Sequence, residues 1–376
     1  MLFRSLAITV MVLGCPGALV IGVPASTVAG IGNGARRGIL FKGSDVMDRL
    51  RHVDTIAFDK TGTLTLGKPA VKDVLVLAGD RQTIIDQAVA IEQQSDHPLA
   101  QAITDLSIDR QLTPTNVKTV KGQGIRATIA GQEYRLGNQQ LVAGLVENAP
   151  DLKEKTARLA AAGNSLVIFA SADRSELAIF AIKDQLRPQT AQALRQLKQL
   201  GVKHLVMLTG DNAGTAKEIA AALPIDEVHA EMMPQDKARF VEQERQQGHR
   251  IAFVGDGIND SPALSAANVA VAMGSGTDVA MDVSDLVLVK SDLANLVTGF
   301  ELANQTMRNM NENIVIALLT VVLLFIGLFV GYIEMALGML IHELSILIVI
   351  LNSMRLIKYS PKVDHHQFLK PANDLK

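Results

Sequence analysis

At 376 residues the chain exceeds one ordinary domain, so two or three globular units are expected. A net charge of -2 with 20% charged residues supplies no basic field and excludes nucleic acid as a partner. The one cysteine, Cys15, excludes an internal disulfide and a multi-cysteine zinc cluster.

The apolar residues gather at the two ends. No charge occurs between Ser5 and Ala35, and the stretch from Leu6 to Val23 is nearly all apolar. Arg4 before it fits a secretory signal, but Pro16, Gly17 and Pro24 interrupt the run and no small-residue cleavage site follows. A membrane span of about 20 residues, broken by Pro and Gly, is the better reading. Residues 36–310 then alternate as an α/β protein does. Strands are expected at Thr55–Phe58, Leu205–Leu208, Ile251–Val254, Val269–Ala272 and Leu286–Val289, with helices over Thr190–Leu200 and Ala213–Leu223. This spacing predicts a parallel sheet with right-handed crossovers. Between Pro69 and Lys183 the pattern changes to a helix around Thr83–Glu92 and two hairpins, Arg126–Leu136 turning at Gly131 and Leu166–Ile182 turning near Asp173. That segment reads as an α+β insert, with Asp184-x-x-Arg187-Pro188 as the hinge back into the host.

Two further spans follow, Ile314–Ile333 and Met335–Ile357, joined closely enough to form a hairpin. Arg36, Arg37 and Lys42 follow the first span, Arg308 precedes the hairpin, and Arg355, Lys358 and Lys362 follow it. The positive-inside rule places the middle region in the cytoplasm. The expected organisation is a span over 1–34, a host domain over 35–69 and 184–308, an insert over 70–183, a hairpin over 309–358 and a tail over 359–376.

Three strand ends each deliver a carboxylate flanked by glycine: Asp59-Lys60-Thr61-Gly62-Thr63-Leu64-Thr65, Thr209-Gly210-Asp211-Asn212 and Gly255-Asp256-Gly257-Ile258-Asn259-Asp260. In open parallel sheets such loops converge on one crevice. Clustered carboxylates repel, so a cation is implied, and an oxygen-rich site with substrate phosphate suits Mg2+. Asp59 is the candidate nucleophile for a phosphoryl group. Asp256 would hold the metal together with Asp59 and Thr61. Thr209 and Gly210 would offer hydroxyl and backbone contacts, and Lys237 would neutralise phosphate charge.

The string Asp59–Thr65 resembles the phosphorylation signature of P-type ATPases, and the other two loops resemble that family's remaining phosphorylation-domain motifs in the same order. The resemblance covers essentially the whole chain. It implies a haloacid-dehalogenase-like Rossmannoid phosphorylation domain carrying an inserted α+β nucleotide-binding domain and flanked by transmembrane helices, with ATP and Mg2+ as cofactors. Lys60, Asp211, Asn259 and Asp260 take catalytic positions in it. Phosphatases of the same superfamily usually carry an acid two residues after the nucleophile. Thr61 stands there and cannot act as that general acid, which suits a lasting phosphoenzyme.

Within the insert, Glu92, His97, Gly122, Gly124, Gly137 and Asn138 match the nucleotide-site residues of the heavy-metal (type IB) branch. Glycines let backbone approach a nucleotide, and His97 and Glu92 would orient base and phosphates. Gly14-Cys15-Pro16-Gly17 resembles that branch's ion-site proline motif, with Gly17 where copper-type members carry a second Cys. Ile341-His342-Glu343-Leu344-Ser345 looks like the His-Glu motif of cobalt-type members, with Leu344 where glycine is usual. Cys15, His342 and Glu343 make a mixed ligand set suited to Zn2+, Co2+, Cd2+ or Fe2+ rather than Cu+. The implied protein is an integral membrane pump of the plasma membrane that exports the metal, with lipid around its spans and its catalytic domains in the cytoplasm. The Thr-Gly-Glu motif of the family's actuator domain is absent from these 376 residues. The chain is therefore expected to be a fragment or catalytic half that phosphorylates, turns over slowly and relies on a second chain for the missing spans and actuator. Rival expectations are a membrane-anchored phosphatase and an inactive regulatory fragment.

Overall fold

A computed structural model describes residues 10–11, 14, 16–95, 98–107, 112–146, 150–256, 260–274 and 278–361. The chain opens with α1 (Gly17–Arg36), β1 (Ile39–Phe41), α2 (Ser44–Arg51) and β2 (Thr55–Asp59). It continues through β3 (Thr65–Ala78), α3 (Arg81–Glu92), α4 (Pro98–Thr104), β4 (Thr115–Val120), β5 (Gly124–Ile129), β6 (Gln132–Gly137), α5 (Gln139–Val146), α6 (Pro150–Ala161), β7 (Ser165–Ser171) and β8 (Leu177–Leu186). Next come α7 (Thr190–Gln199), β9 (His204–Leu208), α8 (Ala213–Ala221), β10 (Glu227–His229), α9 (Pro234–Gln246), β11 (Ile251–Gly255), α10 (Ser261–Ala266), β12 (Val269–Met273), α11 (Asp278–Val283) and β13 (Leu286–Leu288). The long α12 (Leu293–Val330) and α13 (Met335–Met354) follow.

Two compact units result, and the division falls inside β2 and β9: residues 1–58, 189–205 and 234–376 form one, 59–188 and 206–233 the other. Strands β1-β13-β12-β11-β2 lie side by side in the first unit, and β10 pairs in parallel with β9 in the second. In the first unit β2, β11, β12 and β13 are parallel, with Phe58 opposite Val254 and Val254 opposite Val271. Every residue of β2, β11 and β12 is buried. Their continuous apolar runs are what a sheet covered on both faces requires. The three-residue β1 adds an antiparallel edge beside β13, which the sequence did not announce.

The membrane end belongs to the same unit. Among the described residues three helices are long and apolar enough to cross a membrane: Gly17–Arg36, Leu293–Val330 and Met335–Lys358. The first runs on through Pro24 to Arg36, two residues past the expected segment 1–34. Its small residues have a packing role. A Cβ on Gly22 would lie 2.4 Å from Val349 Cγ1, and one on Gly30 would lie 2.4 Å from Thr306 Oγ1. The Gly, Ala, Ser and Thr content that reads as weak hydropathy is the face that lets α12 and α13 approach closely. Helix α12 also crosses the expected boundary at 308–309 without a break. Asp292 caps its start by accepting from the Ala294 N–H at 2.9 Å, and left-handed Gly331 ends it.

The second unit is built on a six-stranded antiparallel sheet, β3-β8-β7-β6-β5-β4. One face packs on α3 and α4 through Ile84, Ala88, Ile91 and Ile103 against Leu136, Phe169 and Phe180. The other face covers Val142, Leu152, Ile168 and Ile179 with α5 and α6. Both expected hairpins form, β5–β6 through Ala130-Gly131 and β7–β8 around Asp173. Strand β3 was not foreseen. Lys68, Pro69, Lys72 and Asp73 hide its pattern, and they are tolerated because β3 lies at the sheet's edge.

Candidate active site

Asp59 closes β2 and is buried, and the chain then turns sharply through Lys60–Leu64 with Gly62 at φ +72°. Two residues from the far end of the insert hold this turn. The Arg187 guanidinium donates to the carbonyls of Thr63 (3.0 Å) and Gly62 (2.5 Å), and its backbone N–H donates to Leu64 (3.0 Å). The Asp184 carboxylate accepts from the Thr65 hydroxyl (2.5 Å) and the Lys68 N–H (3.1 Å). The sequence offered this segment as a hinge; it is a clamp on the loop after Asp59. Lys60 is buried and ion-paired with Asp211. Buried Thr209 receives the Asp211 N–H on its hydroxyl at 3.1 Å, while Gly210 is exposed. Exposed Thr61 joins Lys60, Asp211, Asn212, Lys183 and Asp184 around a cavity of about 290 Å³.

Beside β2 in register, β11 ends at Gly255, and half-buried Asp256 follows. Asp260 is 2% exposed and accepts a 2.8 Å hydrogen bond from the Lys237 ammonium on α9. A Cβ on Gly255 would lie 2.7 Å from Asp260 Oδ2, so the glycine makes the close approach possible. Asp59 ends β2 and Asp256 follows β11; with Asp260 paired to Lys237, these two carboxylates are the hard oxygen donors expected for a divalent cation. Gly257, Ile258 and Asn259 lie outside the described residues.

Of the residues expected at a nucleotide site, Glu92, Gly122, Gly124, Gly137 and Asn138 line one cavity of about 220 Å³ in the second unit. Gly124 (φ +140°) pairs with Gly137 across β5 and β6, and a Cβ on Gly137 would lie 2.1 Å from the Gln123 carbonyl oxygen. No side chain fits at either position, so this wall is bare backbone. Asn138 fastens the rim, donating to the Gly122 carbonyl (3.0 Å) and accepting from the Gln140 and Leu141 N–H groups (both 3.1 Å). His97 lies outside the described residues.

Burial pushes the Glu92 carboxyl above its ordinary pKa, opposed by a hydrogen bond with Ser95. Its Oε2 has no hydrogen-bond partner among the described residues. For a raised acid, stability is greatest below the unfolded carboxylate pKa and falls as pH rises through the folded value. Glu92→Gln should remove that fall and leave the unit more stable by about 1 kcal/mol at pH 8. Urea unfolding at pH 5 and pH 8 checks it; equal pH slopes in both proteins would count against the assignment.

Residues 53–268 match the haloacid dehalogenase-like hydrolase family. The zinc-transporting ATPase of Bacillus subtilis (strain 168) is 38% identical over 356 residues, covering 94% of this chain and 55% of that protein. The copper-exporting P-type ATPase of Vibrio cholerae serotype O1 is 40% identical over 313 residues, covering 82% of this chain and 34% of that protein. The crystal structure of a zinc-transporting PIB-type ATPase in its E2.Pi state superposes with a TM-score of 0.81 at 37% identity, over 94% of this chain and 57% of that one. This chain belongs to the heavy-metal P-type ATPases. Its catalytic core is a haloacid-dehalogenase-like domain. It spans between a third and rather more than half of the length of these full-length relatives.

In this P-type ATPase chain His342 and Glu343, two of the expected membrane ligands, lie together on α13, with His342 Nδ1 3.9 Å from Glu343 Oε1. His342 faces α1, since a Cβ on Gly17 would lie 3.0 Å from its Cε1. Glu343 is the more open of the two, with its side chain 70% exposed against 14% for His342. Cys15 lies outside the described residues. Sequence reasoning missed a buried polar knot joining the three helices. The Ser26 hydroxyl lies 2.8 Å from Asn309 Oδ1 and 3.1 Å from the Ser353 hydroxyl. The Asn313 amide donates to Ser26 and Ser353, both at 2.9 Å, and Asn352 donates to Asn313 Oδ1 at 2.9 Å. Asparagine inside a long apolar run was the available signal.

Proposed function

We propose that this chain is the catalytic and ion-path portion of a pump that drives a divalent transition metal out of the cytoplasm, with Asp59 carrying the phosphoryl group of ATP. The observation that carries the reading is the buried Asp59 carboxylate, set at the end of β2 and followed by a loop that Arg187 and Asp184 hold by hydrogen bonds.

An oxygen of Asp59 attacks the γ-phosphorus as the bond to the β,γ-bridging oxygen breaks, so the phosphoryl group passes to Asp59 and ADP departs. Asp59 and Asp256, with Thr61 on the open side, would hold Mg2+, which neutralises charge on the transferring group. Lys60, fixed by Asp211, and Lys237, fixed by Asp260, set positive charge at the loop after Asp59 and beside Asp260. Thr61 offers no proton to the leaving group, so the acyl phosphate outlives its formation. Adenine and ribose belong in the cavity walled by Gly124 and Gly137. Cations Arg36, Arg37, Lys42, Arg308 and Arg355 at the catalytic ends of the spans put that side in the cytoplasm.

For the metal, relatives named for zinc and for copper bracket the choice. Gly17 in place of a second thiol, with the His342 ring against it, favours borderline divalent ions over Cu+. Incubation with γ-labelled ATP and Mg2+ should give a phosphoprotein that survives acid and releases its label to hydroxylamine. Zn2+, Co2+ or Cd2+ should change its level, and Cu+ should not. Hydrolysis of simple phosphoesters with no label taken from ATP would sink the proposal.

A further inference from the structure

Where α12 and α13 leave the catalytic side, a groove of about 820 Å³ opens on the first unit's surface. Its walls carry three exposed guanidinium groups, Arg51 from α2, Arg308 from α12 and Arg355 just past α13. One carboxylate, Glu312, answers them. It lies 3.4 Å from Arg308, while Arg355 donates to the Asn352 side-chain oxygen at 2.8 Å. Two positive charges therefore stay in excess. The floor is apolar, formed by Val315 and Ile316.

The groove does not end blindly. Arg308 and exposed Val315 are seven residues apart on α12, and exposed Leu319, Val322 and Ile326 continue that face through the uncharged run beginning at Ile314. On α13 the same order appears in reverse: Arg355, then exposed Leu351, Leu347 and Leu344 at helical spacing. Each helix thus presents a cation above an apolar stripe, and the two cations share one groove. Charge and shape match a molecule with an anionic head and long apolar tails.

We propose that this groove docks one anionic glycerophospholipid, with its phosphate among Arg51, Arg308 and Arg355 and its acyl chains along the exposed stripes of α12 and α13. A zwitterionic headgroup brings its own ammonium into a site with a cationic excess and fits less well. The proposal needs no phosphorylation chemistry and stands apart from the reading of Asp59.

Native mass spectrometry of the full chain, released from micelles holding equal phosphatidylglycerol and phosphatidylcholine, tests it. The wild type should retain one phosphatidylglycerol at least fivefold over phosphatidylcholine. The R308Q/R355Q variant should bring that preference within twofold. The R36Q/K358Q variant removes the same charge from the same interface outside the groove and should keep it. Glycerol 3-phosphate should not displace the bound lipid, because it lacks the chains. Equal retention of the two lipids by the wild type, loss of preference in the control variant, or displacement by glycerol 3-phosphate would each overturn the proposal. All four substituted residues are exposed, so both variants should fold.

Discussion

An Asp59→Asn chain takes up no acid-stable phosphate from ATP, a loss of at least about three orders of magnitude relative to the parent. An amide is uncharged and is no nucleophile towards phosphorus, and none of the nearby carboxylates replaces it. Asp260 is paired with Lys237 at 2.8 Å, and Asp256 comes from a different strand end. The same change should leave the fold intact. Asp59 is buried, and an uncharged amide there is easier to bury than a carboxylate, so the variant should resist unfolding at least as well as the parent. Acid gels of chains exposed to labelled ATP, run beside urea titrations, provide both readings. Undiminished labelling in a folded variant would move the chemistry off Asp59.

Lys237→Ala should destabilise the first unit by about 3–5 kcal/mol, the usual result of leaving one half of a buried ion pair behind. Asp260 is 2% exposed and cannot recruit bulk water to replace the ammonium. Replacing both partners with apolar groups, Lys237→Met with Asp260→Leu, should recover most of that loss, because neither charge then remains to be solvated. Phosphoryl transfer should stay impaired in the double variant, since the positive charge is gone from the site. Chemical denaturation of the three proteins separates the two effects. A single variant as stable as the parent would show that the pair carries little folding free energy.

The parallel core was legible because fully buried strands are spelled as unbroken apolar runs, as in Ile251–Val254 and Val269–Ala272. Asp59, Asp211 and Asp256 stand out for a related reason: each comes within three residues of the end of such a run. Contacts made across the insert were not legible. Arg187 and Asp184 stand more than a hundred residues from the loop they clamp, and nothing local marks an arginine as a donor to Gly62 and Thr63. Short or edge strands such as β1, β10 and β3 carry too few apolar positions to stand out. The His342-Glu343 pair was legible only as adjacent letters; that His342 lies against α1, with the Glu343 carboxylate 3.9 Å from it, depends on how the helices pack.

One feature of the membrane end reaches beyond the chemistry. Helix α12 continues from the edge of the catalytic sheet to the far side of the apolar run, and residues 300–326 contain neither proline nor glycine. At about 1.5 Å per residue its 38 residues make a rod of roughly 57 Å. Such a rod behaves as a lever: a tilt of roughly 5° about its first turn carries the other tip sideways by about 5 Å, close to the rise of one helical turn. Helix α1 is continuous but carries Pro24, which cannot donate a backbone hydrogen bond, so a stiffer member and a more compliant one run side by side, tied by the asparagine and serine side chains between them.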